Sequence, residues 1–213
     1  MARQLIPLGA VALLPYEIPE ILAMIAKADP GALIVGGCLR DVMFEKRVKD
    51  IDVFVGPHMD IDQVRAAFPA DWSCSNQFSR LSVEAYRQHF GADMVEVIHV
   101  VRPRKQSFDL SELVCMDDYD PFIQIIVMNK PVDLEEMLYS VDFGFCQIGI
   151  DARCRDVMAT PAFVKDATEN TATLTDSRRD AGNIQRSLKR AERLREKYPT
   201  RKFVLPGIVC VAD

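Results

Sequence analysis

The chain is short of the residues from which metal cages and nucleophilic triads are assembled. Its histidines, His58, His89 and His99, show no nucleophile, base and acid spacing. The cysteines, Cys38, Cys74, Cys115, Cys146, Cys154 and Cys210, include no Cys-x-x-Cys pair and no histidine at ligand spacing, which argues against zinc. Cys146, within Phe143-Gly144-Phe145-Cys146-Gln147-Ile148, stands in an apolar setting where a free thiol packs as a small core residue. Scattered thiols of this kind are expected in a reducing, cytoplasmic compartment. No run approaches the roughly 18 apolar residues of a membrane span, so no membrane partner is expected. The nearest approach, Leu5 to Leu14, is interrupted by Pro7 and Gly9, is too short for a signal peptide and reads as a buried N-terminal segment. Internal repeats and low-complexity tracts are absent.

What remains is the composition of a globular domain: 213 residues, 49% apolar and 27% charged. A chain of that length buries roughly 70% of its unfolded surface and needs no staple to fold. Net charge is −5, from 26 basic and 31 acidic residues. The imbalance is uneven, because residues 178–202 carry +7 and the remainder −12. A basic C-terminal element on an acidic body either meets phosphate or pairs with the body's own carboxylates. The acidic remainder argues against a long nucleic-acid track.

Apolar spacing at Ile18, Ile21, Leu22 and Ile25 predicts a helix over Ile18 to Lys27. Ala32 to Val35 predicts a strand that turns at Gly36-Gly37 into a helix over Leu39 to Phe44. Lys49 to Val55 alternates, which puts Asp50 and Asp52 on one strand face. A helix over Asp60 to Phe68 follows, then strands at Leu81 to Tyr86, Met94 to Val101, Phe122 to Met128 and Val141 to Ile150. Pro103 to Asp120 reads as a loop over a site, and Trp72 as a core residue. A stripe at Ala181, Ile184, Leu188, Ala191, Leu194 and Tyr198 predicts a C-terminal helix with basic residues on its other sides. The expected division is a domain over residues 1–175 with a basic helical segment, 176–213, packed on it. The fold class is α/β (α+β): a short mixed sheet with helices on one side.

Ile34-Val35-Gly36-Gly37-Cys38-Leu39-Arg40-Asp41, followed by Asp50-Ile51-Asp52-Val53, carries the chemistry. A diglycine turn between strand and helix lets backbone amides approach a polyanion, and would hold a triphosphate. Neighbouring carboxylates repel and are costly to bury unless a cation neutralises them. Two divalent ions roughly 4 Å apart would activate a hydroxyl and stabilise a pyrophosphate leaving group. Either motif alone is commonplace; together, in this order on these elements, they point to nucleotidyl transfer with magnesium or manganese.

The segment resembles the head-domain signature of the polymerase-beta-like nucleotidyltransferase superfamily. More narrowly, Gly36-Gly37-Cys38-Leu39-Arg40-Asp41 with Lys49-Asp50-Ile51-Asp52 is similar to the corresponding run of CCA-adding enzymes and bacterial poly(A) polymerases. Met94 to Arg102 resembles that family's strand after its hairpin, and Leu134 to Asp151 its Asp-Leu-Arg-Arg-Asp-Phe-Thr motif and the strand beyond. The paired arginines of that motif are replaced by Ser140 and Val141. The base-reading Glu-Asp-x-x-Arg is not evident, Asn183 standing where its arginine is expected. The closer likeness is therefore a small stand-alone nucleotidyltransferase of the phage type rather than a full CCA-adding enzyme.

The resemblance implies an NTP substrate (an ATP-binding site among the expectations) and a hydroxyl acceptor on tRNA or other RNA, a protein or a small molecule. Asp50 and Asp52 are the expected metal ligands. Glu96, in a hydrophobic-acid-hydrophobic strand, is favoured as the third carboxylate over Asp142, which has the same local form in Val141-Asp142-Phe143. An alternative makes Phe122-Ile123-Gln124-Ile125-Ile126 the strand beside the pair, with no acid in it. Gly36, Gly37, Arg40, Asp41, Asp142, Arg186 and Arg190 are the expected nucleotide-binding set. For Arg40 the competing reading is a salt bridge to Asp41, for Asp41 a brace on the loop, and for Arg186 and Arg190 a solvated helix face. Two rivals stay open: a degenerate head that binds a nucleotide or partner without turnover, and a toxin that modifies tRNA or a protein by the same chemistry.

Overall fold

The computed structural model describes residues 3–11, 14, 15, 17–76, 93–103, 122–153, 156–175 and 181–205. Helix α1 (Glu17–Ile25) buries Ile18, Ile21, Leu22 and Ile25, the stripe that the spacing predicts. Strand β2 (Leu33–Val35) turns at Gly36 into α2 (Gly37–Met43), and β3 (Asp50–Val55) follows. Helix α3 (Ile61–Ala67) opens with a capping box, in which Asp60 accepts from the Gln63 amide and the Gln63 side chain accepts from the Asp60 amide. Three further strands, β4 (Ser73–Ser75), β5 (Met94–Val101) and β6 (Phe122–Met128), lead to α4 (Leu134–Ser140). The predicted strand over Val141 to Ile150 is instead a 3-10 turn at Gly144–Cys146 followed by β7 (Ile148–Asp151). Strand β8 (Asp156–Ala159), helix α5 (Pro161–Glu169), strand β9 (Thr171–Thr173), helix α6 (Ala181–Lys197) and strand β10 (Lys202–Val204) complete the order. The predicted strand at Leu81 to Tyr86 lies outside the described residues, as does all but Pro103 of the loop Pro103 to Asp120.

With β1 (Ile6–Ala10), eight strands form one mixed sheet in the order β1-β8-β7-β2-β3-β6-β5-β4, longer than the short sheet expected. β3 and β6 run parallel, and the other pairs in the sheet antiparallel. The segment expected to be buried at the N-terminus is an edge strand in which Pro7 and Ala10 are exposed and Ile6, Leu8 and Gly9 only partly buried. β9 and β10 form a separate parallel pair. Among the described residues, no helix is long and apolar enough to cross a membrane.

Helices cover both faces of the sheet, not the one face expected. On the first, α1, α2 and α3 pack over Ile34, Ile51, Val53, Val55, Ile98, Ile123 and Ile125. On the second, Leu33, Val35, Phe54, Val97 and Ile126 lie under Leu134, Met137 and Leu138 of α4, with Phe143, Phe145, Ala191, Leu194 and Tyr198. Trp72 is only partly buried; it stacks on Phe68 at 5.2 Å, with the Arg102 guanidinium 4.7 Å above its ring.

Buried carboxylates lock the C-terminal half. Asp166 accepts from Phe145 N (2.9 Å), Thr173 N (2.8 Å) and the hydroxyls of Thr171 and Thr173 (2.7 Å each). Four donors offset the cost of burying that charge and tie α5, β9 and the 3-10 turn together. The arrangement requires Gly144, whose Cβ would stand 2.6 Å from Asp166 Oδ2 and 3.1 Å from the Ala162 carbonyl oxygen. Gly144→Ala is therefore expected to lower stability by about 1–3 kcal/mol, read as a lower urea midpoint at unchanged slope. An unshifted midpoint would show that the turn relaxes without cost.

Candidate functional site

β2 pairs with both β3 and β7, so it ends in the interior of the sheet, and its last residue hands the chain to Gly36. Gly36 sits at φ 88° and ψ −116°, a conformation that side-chain-bearing residues avoid. Its amide donates to the Ile148 carbonyl (2.8 Å), while its own carbonyl accepts from Arg40 N (3.0 Å) and so begins α2. Gly37 differs in kind, for the nearest atom to a Cβ there would be Arg40 Nη2 at 3.8 Å. The first glycine is demanded by backbone geometry. At the second, a Cβ would make only an ordinary van der Waals contact.

Asp50 and Asp52 lie on the second face of the sheet, in line with buried Phe54. Both are half-buried, whereas Ile51 and Val53 between and after them are buried on the first face. Lys49 Nζ stands 3.5 Å from Asp50 Oδ2 but is largely in solvent, where such a pair contributes little. Asp52 also acts on Cys38: burial first, then the charges of Asp52 and Asp41, push that thiol far above its ordinary range. Cys38 is therefore a core thiol and no nucleophile. Two carboxylates on one accessible strand face are a hard-oxygen donor set, which suits magnesium or manganese and not a soft metal.

Glu96 does not join them. It pairs with Val127, which pairs with Val55, and strand alternation places it on the first face. There it accepts from Asn76 Nδ2 at 2.7 Å. The residue directly across from Asp52 is Gln124, on the neighbouring strand β6, and across from Gln124 is His99. The acid-free strand considered as the alternative is thus the one beside the pair. Among the described residues, no three of His, Cys, Asp and Glu stand close enough together to hold a metal ion. Burial lowers the His99 pKa below the ordinary imidazole value, against a smaller upward pull from Asp50, so His99 is neutral at pH 7.

Arg40, the expected phosphate contact, stands in a buried network of protein partners. Arg40 is buried, donates from Nε to Asp41 Oδ1 (2.8 Å) and Tyr198 Oη (3.1 Å), and donates from Nη1 to Cys146 Sγ (3.2 Å). Its guanidinium lies 5.4 Å from the centroid of Phe145 and 5.3 Å from that of Tyr198. Asp41 additionally accepts from Lys197 Nζ and Tyr198 Oη, so it braces α2 against the end of α6. Asp142 is buried as well, accepting from Phe143 N (3.0 Å), Ser187 Oγ (3.1 Å) and Arg190 Nη1 (2.8 Å). Those bonds engage both of its oxygens, and Asp142 holds Arg190 in place. Burial is the largest single influence and works against the Arg190 charge, but the combined pull of Asp142 and of weaker contributors including Asp52 outweighs it, so the pKa rises. Arg186 lies one helical turn before Arg190, half-buried.

The profile of the Poly A polymerase head domain matches residues 32–177. The chain belongs to that family. No curated protein matches the sequence. Among solved structures, this head domain is similar to the Bacillus stearothermophilus CCA-adding enzyme in complex with CTP, at 16% identity and TM-score 0.57, over 89% of this chain and 40% of that one. An apo CCA-adding enzyme gives 13% identity and TM-score 0.56 over 96% and 45%. The Thermotoga maritima CCA-adding enzyme complexed with tRNA gives 14% and 0.51 over 98% and 44%. At these identities the likeness is one of fold, and the chain spans less than half the length of each relative.

Sequence reasoning missed Lys197 and Tyr198 as partners of Asp41, and Ser187 as a partner of Asp142. Nothing local marks contacts made across 156 and 157 residues, or across the 45 that separate Ser187 from Asp142. The parity of Gln124 with Asp52 was readable only once β6 was known to lie beside β3.

Two measurements probe this geometry. Gly36→Ala is expected to cost about 1–3 kcal/mol of stability through backbone strain, while Gly37→Ala leaves the unfolding midpoint nearly in place. Equal midpoints for the two variants would remove the conformational argument. His99, with a folded pKa below its unfolded value, contributes stability that is complete above about pH 6.5 and is lost as pH falls through the folded value. Urea titrations from pH 7.5 to 5 should show a shallower decline in His99→Gln than in the parent; parallel curves would contradict it.

Proposed function

We propose that the chain is a metal-dependent nucleotidyltransferase that moves a nucleoside monophosphate from an NTP to a hydroxyl, releasing pyrophosphate. The observation that carries this reading is the placement of Asp50 and Asp52 on one open strand face, within a sheet whose next strand ends in the Gly36-Gly37 turn. The acceptor oxygen bonds to the α-phosphorus, the bond from that phosphorus to the bridging oxygen breaks, and pyrophosphate leaves as the hydroxyl gives up its proton to solvent. Asp50 and Asp52 would hold magnesium or manganese. Bound there, the cation favours the deprotonated acceptor oxygen and stabilises the leaving group. Gly36 and Gly37 leave room for the triphosphate. Arg190, fixed by Asp142 and within electrostatic reach of Asp52, supplies positive charge for it.

RNA is the acceptor class best supported, because related folds are those of CCA-adding and tRNA-processing enzymes. Exposed Lys189 and Arg193 on α6 add local positive charge to an otherwise acidic molecule. The absence of a third acid beside the pair, among the described residues, favours a second reading: a head that binds nucleotide without turnover.

Labelled NTPs, magnesium and short RNAs ending in a free 3′ hydroxyl separate the two. Transfer should fall by about a hundredfold or more in Asp50→Ala and in Asp52→Ala. Activity retained in both variants would end the assignment. Nucleotide binding that magnesium does not strengthen, with no pyrophosphate released by the parent, would establish the binder instead.

A further inference from the structure

On the second face, β3, β6, β5 and β4 carry a polar row across the sheet: Asp52 opposite Gln124, Gln124 opposite His99, His99 opposite Ser75. The row crosses strands whose first-face residues, Ile51, Ile123, Ile98 and Val100, are buried hydrophobics. Polar side chains therefore recur at one level on successive strands of this face. Adjacent strands stand about 4.8 Å apart, so a side chain as long as glutamine spans from β6 to an ion held at Asp52. Glu96 has no such path, being on the opposite face.

We propose that Gln124 supplies the third protein oxygen to the cation of this site, so that the centre is two carboxylates and one amide. The inference rests on Asp50 and Asp52 holding that cation, and concerns which residue completes the set. Its physical content is charge. Two carboxylates balance one divalent ion, and an amide oxygen adds a ligand without adding charge, whereas a third carboxylate would leave an excess of −1 to be met by a further cation. Affinity at oxygen-ligand sites follows ligand charge count, so this set binds its ion less tightly than a three-carboxylate set of the same shape. The position, rather than the residue type, defines the ligand: an acid at 124 should strengthen the site, and an apolar residue of similar size should weaken it.

Manganese binding to the nucleotide-free protein, followed by electron paramagnetic resonance or calorimetry, tests this without reference to turnover. Gln124→Glu is expected to lower the Kd by about tenfold, Gln124→Leu to raise it severalfold, and Glu96→Gln to leave it unchanged. Circular dichroism and urea midpoints verify that each variant is folded. If both Gln124 variants bind within twofold of the parent while Asp52→Asn loses the ion, the inference is overturned and the two-carboxylate reading stands. If Asp52→Asn binds manganese like the parent, or if neither the parent nor Gln124→Glu binds it, the underlying reading fails and this one with it. Weakened binding in Glu96→Gln with no effect at Gln124 would return the third position to Glu96.

Discussion

Asp41 is the point at which distant parts of the chain are held in one arrangement. Arg40, Tyr198 and Lys197 all donate to its two oxygens, and Lys197 also donates to the Arg47 carbonyl at 2.7 Å. Removing a partner from a buried network of this kind leaves a charge uncompensated, which costs more than the pair contributes when intact. The network stands one helical turn from Gly36 and fixes the end of α6. The helix that brings Arg190 towards the acidic face is therefore positioned by the same residues that hold α2 behind the diglycine turn. Fold and site share one electrostatic anchor.

Strand parity is the second constraint, and it decides which polar residues can act together. Because alternate side chains go to opposite faces, a residue three positions along a regular strand cannot join a cluster on the original face. His99 and Glu96 stand in that relation on β5. A bulge lies between Met94 and Glu96, so it shifts no residue between Glu96 and His99. Sequence distance and hydrophobic flanks make Glu96 look like a ligand, while the register gives that level of the sheet to Gln124.

Much of this was legible before any coordinates. The diglycine turn, the alternation through Asp50 and Asp52 and the stripe on α6 are local signals, and each element forms where its period places it. The edge strand β1, the 3-10 turn at Gly144–Cys146 and the β9–β10 pair were not legible, because each depends on a partner far along the chain. Arg40 shows the limit most clearly. An arginine one turn from a diglycine invites a phosphate, yet its acceptors include Tyr198 and Cys146, and nothing near residue 40 could announce them.

Ser140 and Val141 follow from the same logic. Where the family carries paired arginines, Ser140 hydrogen-bonds back to the Met137 carbonyl at 2.8 Å and Val141 packs into the second core. Local sequence thus brings no cation to Asp142; Arg190 reaches it from a helix 48 residues away. A cation delivered by a docked helix is present only while the helix is docked. The Asp142–Arg190 contact, the Ser187 hydrogen bond beside it and the Asp41 anchor at the other end of α6 consequently act as one unit. Loosening either end removes positive charge from the acidic face without altering a carboxylate, so the electrostatics of the site are set by tertiary packing as much as by the motif.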